Sequence, residues 1–370
     1  MPSTPAPRTD ASADALAIGE RLTRAGRYRR RTVIVARRGA QWLWVWLLKA
    51  SGALWWAKRD LRESGAIVVL TLHRVLRNAE RASTLSQPGM VVSEDSFRRL
   101  VPYLTGSCEP VDLAHARPGE PGRKVKVALT FDDGWKDNYS VALPLARAHR
   151  LPLTIFVCTG LLDRETPFWP ERVVRILRAS DPAITTDEIE GVIEVLKQKT
   201  PTDRDVTIAR LAESASVGAE ARSDADRTFG WHEAATMRLE GVRFGSHTHT
   251  HEIATSIDGV ALREELRQSK REIERRLRTR CDLLAYPNGN CSRDAARIAV
   301  EEGFRFAFTT HRGPWTASTD PMAIPRVNTS EGNLVGLRGR FSVAMFEYTT
   351  FWKSWRATKR AAARTAVASA

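Results

Sequence analysis

Six apolar runs punctuate the chain: Ala66–Leu72, Val125–Phe131, Leu153–Val157, Val242–Phe244, Leu283–Tyr286 and Phe304–Thr309. They are rich in β-branched and aliphatic residues and alternate little, which predicts strands buried on both faces. Between them, apolar residues recur at helical spacing. Ser93–Leu104 reads as a helix capped by Ser93, with Phe97, Leu100 and Leu104 along one side. Ala142–His149, a segment starting at Trp231, and Arg293–Glu302 read the same way. Asp258–Arg278 turns Leu262, Leu266, Ile273 and Leu277 inward, its many charged residues forming a solvated face. Strands alternating with helices predict the α/β class, as a complete or partial barrel of at least six βα units.

Residues 163–228 interrupt this rhythm. Val173, Val174, Ile176 and Leu177 form one apolar stripe and Ile189, Val192, Ile193 and Leu196 another, which predicts a mainly helical insertion. Residues 39–62 read as one helix ending near Ser64-Gly65. The first 30 residues hold few bulky apolar side chains and are expected to be disordered. The chain therefore divides into a basic, Trp-rich N-terminal extension (1–62), a barrel with its insertion (63–337) and a basic C-terminal tail (338–370).

Charge sharpens that division. Of the net +14, residues 1–62 carry +9 and residues 338–370 carry +6, which leaves −1 for the middle. Seven of the eleven tryptophans lie in the same two ends: Trp42, Trp44, Trp46, Trp55, Trp56, Trp352 and Trp355. Indoles mixed with Lys and Arg suit the headgroup layer of an anionic membrane. A near-neutral barrel argues against nucleic acid as the partner. The apolar stretch Trp42–Trp56 is broken by Lys49 and Gly52 and short for a span, so it reads as an interfacial helix, with a signal-anchor starting near Thr32 as the alternative. The first 30 residues lack a signal peptide's apolar core, and the four cysteines show no C-x-x-C spacing. The expectation is a cytoplasmic protein held peripherally at the inner face of the membrane.

Two stretches carry candidate chemistry. The run Val125–Phe131 ends in Asp132-Asp133-Gly134, two carboxylates at the end of a strand where α/β folds place their sites. Alone, Asp-Asp-Gly reads more readily as a charged turn closing the strand. The second stretch, His247-Thr248-His249-Thr250-His251, gathers three of the eight histidines within five residues. One carboxylate with two imidazoles can bind a divalent metal and leave positions open.

Together, Thr130-Phe131-Asp132-Asp133-Gly134 and, about 110 residues later, Gly245-Ser246-His247-Thr248-x-x-His251 resemble the first two motifs of the polysaccharide deacetylases. That family (the NodB-homology domain, carbohydrate esterase family four) implies a distorted (β/α)7 barrel. It also implies removal of N- or O-acetyl groups from sugars with one divalent metal ion, zinc first, with cobalt, nickel or iron as alternatives. The resemblance makes Asp133, His247 and His251 the metal ligands and Asp132 the general base. His249 falls on a variable position.

The other motifs match less completely. Ala285-Tyr286-Pro287-Asn288-Gly289 resembles the third motif, which implies a substrate groove at Tyr286, Pro287, Asn288 and Gly289 with a backbone amide for the oxyanion. The Arg that often opens this motif is absent. Arg326, in Ile324-Pro325-Arg326-Val327, is grouped with the groove as a positive charge near the base. No histidine follows His311 to serve as the C-terminal acid. Leu70-Thr71-Leu72-His73-Arg74-Val75-Leu76, however, resembles the opening strand of circularly permuted members such as the poly-N-acetylglucosamine deacetylases, which implies His73 as the acid. The resemblance covers residues 66–330, interrupted by 163–228. It implies an acetylated polysaccharide or lipid-linked aminosugar as substrate. The rival reading is an inactive deacetylase-like barrel that binds carbohydrate or membrane.

Overall fold

The computed structural model describes residues 25–164, 168–216 and 226–368. Seven parallel strands follow the order β10-β1-β5-β6-β7-β8-β9, and β4 (Glu109–Pro110) pairs beside β5. The path runs through β1 (Ile67–Leu72), β5 (Lys126–Phe131), β6 (Leu153–Val157), β7 (Arg243–Ser246), β8 (Leu283–Ala285), β9 (Phe306–Phe308) and β10 (Val327–Asn328). A separate pair joins β2 (Arg74–Leu76) to β3 (Val91–Ser93). Ile324 bridges Phe308 while Val327 pairs with Leu70, so the segment leading into β10 touches both ends of the curled sheet. This is the α/β, distorted (β/α)7 barrel architecture that the alternating runs and the family resemblance anticipate.

The apolar strands work because they are covered on both sides. Along β5, Val127, Leu129 and Phe131 pack outward against helices, while Ala128 joins Ile67, Val69 and Phe156 inside the barrel. With a side-chain period of two, Thr71 on β1 and His73 just past it, and Thr130 on β5 and Asp132 just past it, rise along the inner face toward the mouth. Thr71 and Thr130 are register partners, hydrogen-bonded at 3.2 Å.

The helices largely follow the sequence. Ser93 caps Glu94–Ser107 by accepting from the Ser96 amide, and Asp258 caps Gly259–Leu277. The 163–228 region contains the helices Trp169–Ser180, Thr186–Lys197 and Pro201–Ser214, packed around their own apolar cluster of Val173, Ile176, Ile189, Ile193 and Ile208.

Two expectations at the N-terminal end need correction, and the basic C-terminal extension gains detail. The helix read over 39–62 is two, Ala25–Ala50 and Ala53–Glu63, broken where Gly52 adopts φ 76°. Against the disorder that the composition of residues 1–30 predicts, the chain is helical from Ala25; the rest of that segment lies outside the described residues. The C-terminal tail is largely helix: Val343–Glu347 continues through a wide turn at Tyr348–Trp352 into Lys353–Ala368. It buries Met345, Phe346 and Phe351 and locks onto Ala53–Glu63. Lys58 and Tyr103 both reach Glu347 at 2.6 Å, and Trp355 Nε1 donates to Asp60 at 2.7 Å.

Candidate active site

Asp132 and Asp133 leave β5 in different directions because the backbone turns between them. Asp133 has φ 76° and Gly134 φ 84°, both in the left-handed region. A side chain at Gly134 would press on Leu162, Val157 and Phe229, so glycine there serves both conformation and space. Thr248 (φ 65°) and His251 (φ 68°) share the left-handed conformation. Non-glycine residues held there cost about 1–3 kcal/mol each and cluster at functional sites.

The two histidine-motif ligand candidates converge on Asp133. Nε2 of His247 and Nε2 of His251 each stand 3.5 Å from Asp133 Oδ1, a buried oxygen with no hydrogen-bond partner among the described residues. Asp133 Oδ2 accepts from Trp135 Nε1 at 2.9 Å. His247 Nδ1 lies 2.7 Å from the Ala285 carbonyl, which makes Nδ1 the protonated nitrogen and leaves the Nε2 lone pair facing Asp133. Burial pushes His247 down to about 4 and His251 to about 3, so both rings are neutral. Ligand atoms of a tetrahedral zinc are about 3.4 Å apart for bonds near 2.1 Å, so each histidine nitrogen stands at a co-ligand's distance from Asp133 Oδ1. His249 turns away, its Nδ1 2.9 Å from Thr159 Oγ1.

Cys158 Sγ also lies within 4.8 Å of the ligand atoms of Asp133 and His251. Its thiol donates to the His247 carbonyl at 3.3 Å, and burial pushes it well above its ordinary value. A protonated thiol is a poor ligand, and His247 does not fall within that 4.8 Å group.

Asp132 faces the barrel axis and meets Arg326. Nη1 and Nη2 of Arg326 stand 2.8 and 2.7 Å from the two carboxylate oxygens, and its Nε donates to the Thr309 carbonyl at 3.1 Å. Burial alone would raise the Asp132 carboxyl. The Arg326 charge, His247, the Arg326 hydrogen bonds and His73 overcome it and hold Asp132 at about 2. Arg326 is fully buried against Asp132, so the positive charge expected near the base is there, and it positions the carboxylate from inside the barrel, away from the surface of a groove.

His73 lies just past the Leu72–Phe131 register pair, beside the strand end that carries Asp132. It lies near enough to act electrostatically on both Asp132 and His251, and its Nδ1 is buried without a partner among the described residues.

The third motif is only partly where the resemblance puts it. Leu284 and Tyr286 pack on the helix-facing side and Leu283 and Ala285 inside, so the fully buried Tyr286 ring points away from the mouth. Its amide donates to Phe308 at 3.0 Å and the Gly289 amide to Tyr286 at 2.8 Å, so neither is free for an oxyanion. Pro287 has no N–H. Of the four, Asn288 is the exposed residue and carries φ 58°.

Several supporting residues escape sequence reasoning. Glu265 accepts from the His249 and Thr250 amides, both at 2.8 Å, and fixes the histidine loop. Arg204, in the insertion, forks onto Glu252 at 3.1 and 2.7 Å, immediately after His251. Phe168 sets its ring edge-on to His251 at 5.4 Å and lies 4.9 Å from Trp135. Trp135 in turn stacks on Arg74 at 4.3 Å, and Arg74 pairs with Asp137 and Asp226 at 3.0 and 2.6 Å. No local periodicity announces these contacts, because each joins distant segments.

The profile of the polysaccharide deacetylase family matches residues 119–307, just over half of the chain. The chain belongs to that family, and it is a sugar deacetylase by that membership. No curated protein sequence matches it. Among solved structures it resembles Bacillus anthracis BA0330, a protein assigned to the polysaccharide deacetylases: 15% identity, TM-score 0.52, covering 77% of this chain and 69% of the other. It also resembles a de-N-acetylase from Aggregatibacter actinomycetemcomitans: 13% identity, TM-score 0.50, covering 77% and 99%. These likenesses bear on the fold.

Proposed function

We propose that this protein is a metal-dependent deacetylase that removes N-acetyl groups from an aminosugar, in a polysaccharide or on a lipid carrier. The observation that carries the reading is the convergence of His247 and His251 on the unpartnered Asp133 Oδ1, beside an ionised Asp132.

Asp133, His247 and His251 would hold the ion. A divalent metal there supplies Lewis acidity, which polarises an acetyl carbonyl and makes water more acidic. Asp132 accepts the proton of the attacking water. Arg326 engages one lone pair on each Asp132 oxygen, leaving others for that proton. Its low proton affinity keeps Asp132 ionised at neutral pH and suits it to water already made acidic. His73 delivers a proton to the leaving nitrogen, because an amide anion is a poor leaving group.

The test is acetate release from N-acetylglucosamine oligomers by the native protein and by Asp132→Asn. The variant should keep its metal and lose about two to four orders of magnitude in rate. Native-like turnover by the variant removes Asp132 from the base role, and a metal-loaded native protein that releases no acetate from N-acetylated oligomers or lipid-linked sugars favours the inactive-barrel reading.

A further inference from the structure

The terminal helices carry a surface that the barrel chemistry does not use. On Ala25–Ala50, Val45 and Leu48 are buried, while Leu43, Trp44, Trp46 and Leu47 stand outward, each between 46 and 56% exposed. On Ala53–Glu63, Leu54, Ala57 and Leu61 pack inward and Trp55 and Trp56 stand outward, 57 and 56% exposed. Seven of the fourteen exposed large apolar residues among those described lie between Trp42 and Trp56. An indole is among the largest apolar groups a protein can bury, so a concentration of exposed ones marks a contact surface.

The surface is cationic as well as aromatic. Arg59 lies over both Trp55 and Trp56, at 5.6 and 5.1 Å, and Lys49 is exposed near the end of the preceding helix. The sequence of Ala25–Ala50 places six arginines between positions 27 and 38, with Lys49 near its end and no Asp or Glu. Exposed Arg356, Lys359 and Arg360 extend the charge along the neighbouring C-terminal helix.

Its position bears on function. Ala53–Glu63 ends just before β1 begins, at the end of the barrel away from the mouth. Its 11 residues rise about 16 Å, and Lys58 near its middle bonds Glu347 of the C-terminal segment, which reaches the rim of the mouth. The adjoining segment is tied to that rim: the Thr349 carbonyl accepts from Arg312, four residues beyond β9.

We propose that this face docks on an anionic lipid bilayer, with the indoles at headgroup depth and Lys and Arg against lipid phosphates. No described helix is long and apolar enough to cross a membrane, which fits a surface contact. Charge complementarity selects the occupant. A second copy would bring like charges together, whereas an anionic leaflet neutralises them. The docking stands apart from the proposed chemistry. Only its consequence, presentation of a lipid-linked N-acetylated sugar to the mouth, rests on that chemistry.

The experiment is vesicle sedimentation with the full chain. Vesicles of phosphatidylcholine containing about one-third phosphatidylglycerol should bind at least about tenfold more tightly than phosphatidylcholine alone, weakening with salt. Indole emission should shift to the blue on binding. The triple variant Trp46→Ser, Trp55→Ser, Trp56→Ser should lose about tenfold or more in vesicle affinity, with unchanged melting and unchanged acetate release from a soluble oligomer. Absence of binding to the anionic vesicles, or undiminished binding by the triple variant, overturns the proposal. So does a lipid-free dimer that the triple variant dissociates, or tighter capture of DNA than of vesicles through the same tryptophans. Intact vesicle binding without acetate release leaves the docking standing and removes the deacetylase reading.

Discussion

Arg326 holds Asp132 with both terminal nitrogens, 2.8 and 2.7 Å from its two oxygens, across 194 residues of sequence. A fork of this kind fixes the plane of the carboxylate as well as its charge. Removing one partner of a buried pair leaves the other uncompensated. Arg326→Met is therefore expected to lower stability by about 3–5 kcal/mol, read by chemical denaturation. Arg326→Lys keeps the charge but not the fork. It should recover most of that stability while its kcat stays roughly a hundredfold below native, because the base is no longer aimed.

Trp135 orients Asp133 through its indole N–H. Trp135→Phe keeps an aromatic ring between Phe168 and Arg74 and removes the donor. Metal affinity, measured by competition with a chelator, should fall about 10–100-fold, as for other losses of a hydrogen bond behind a ligand. An unchanged affinity excludes Trp135 from orienting the ligand.

Glu171 sits on the insertion helix facing Ser86, with Asp133, Asp226 and Arg74 around it, and one of its oxygens is buried without a partner among the described residues. Burial, then the Asp133 charge, pushes its carboxyl up to about 8. The folded protein thus prefers Glu171 protonated. Stability of the metal-free protein should fall as pH rises from the unfolded value of ~4.5 through about 8, by an amount on the order of a few kcal/mol. Glu171→Gln should flatten that slope in melting curves taken in chelator; an equally steep slope in the variant assigns it to other groups.

How much of this was legible in the sequence depended on distance along the chain. Asp132 with Asp133, and His247 with His251, are neighbours in sequence, so their chemistry shows in a short window. The Arg326–Asp132 fork does not, since β10 is a two-residue strand without periodicity and only the closing of the sheet brings it to β1. Tyr286 is the instructive miss. The motif suggested a groove residue, yet strand alternation already puts it on the face of Leu284, which packs against helices. The C-terminal helix carries its buried set Met345, Phe346 and Phe351 in a short stretch ahead of its basic residues, too short for a periodic stripe. The family profile ends before Arg326 and begins after His73, so both assignments rest on geometry and on the likeness of the opening strand.

The most direct test of the metal site is a chelation and add-back titration of acetate release, with metal content measured in parallel. The account predicts one equivalent of divalent metal per chain, loss of activity on its removal, and recovery on adding back zinc, cobalt, nickel or iron. It also predicts that His247→Ala and His251→Ala no longer retain the ion. Undiminished acetate release from fully chelated protein, or stoichiometric metal retained after both histidines are replaced, would contradict it.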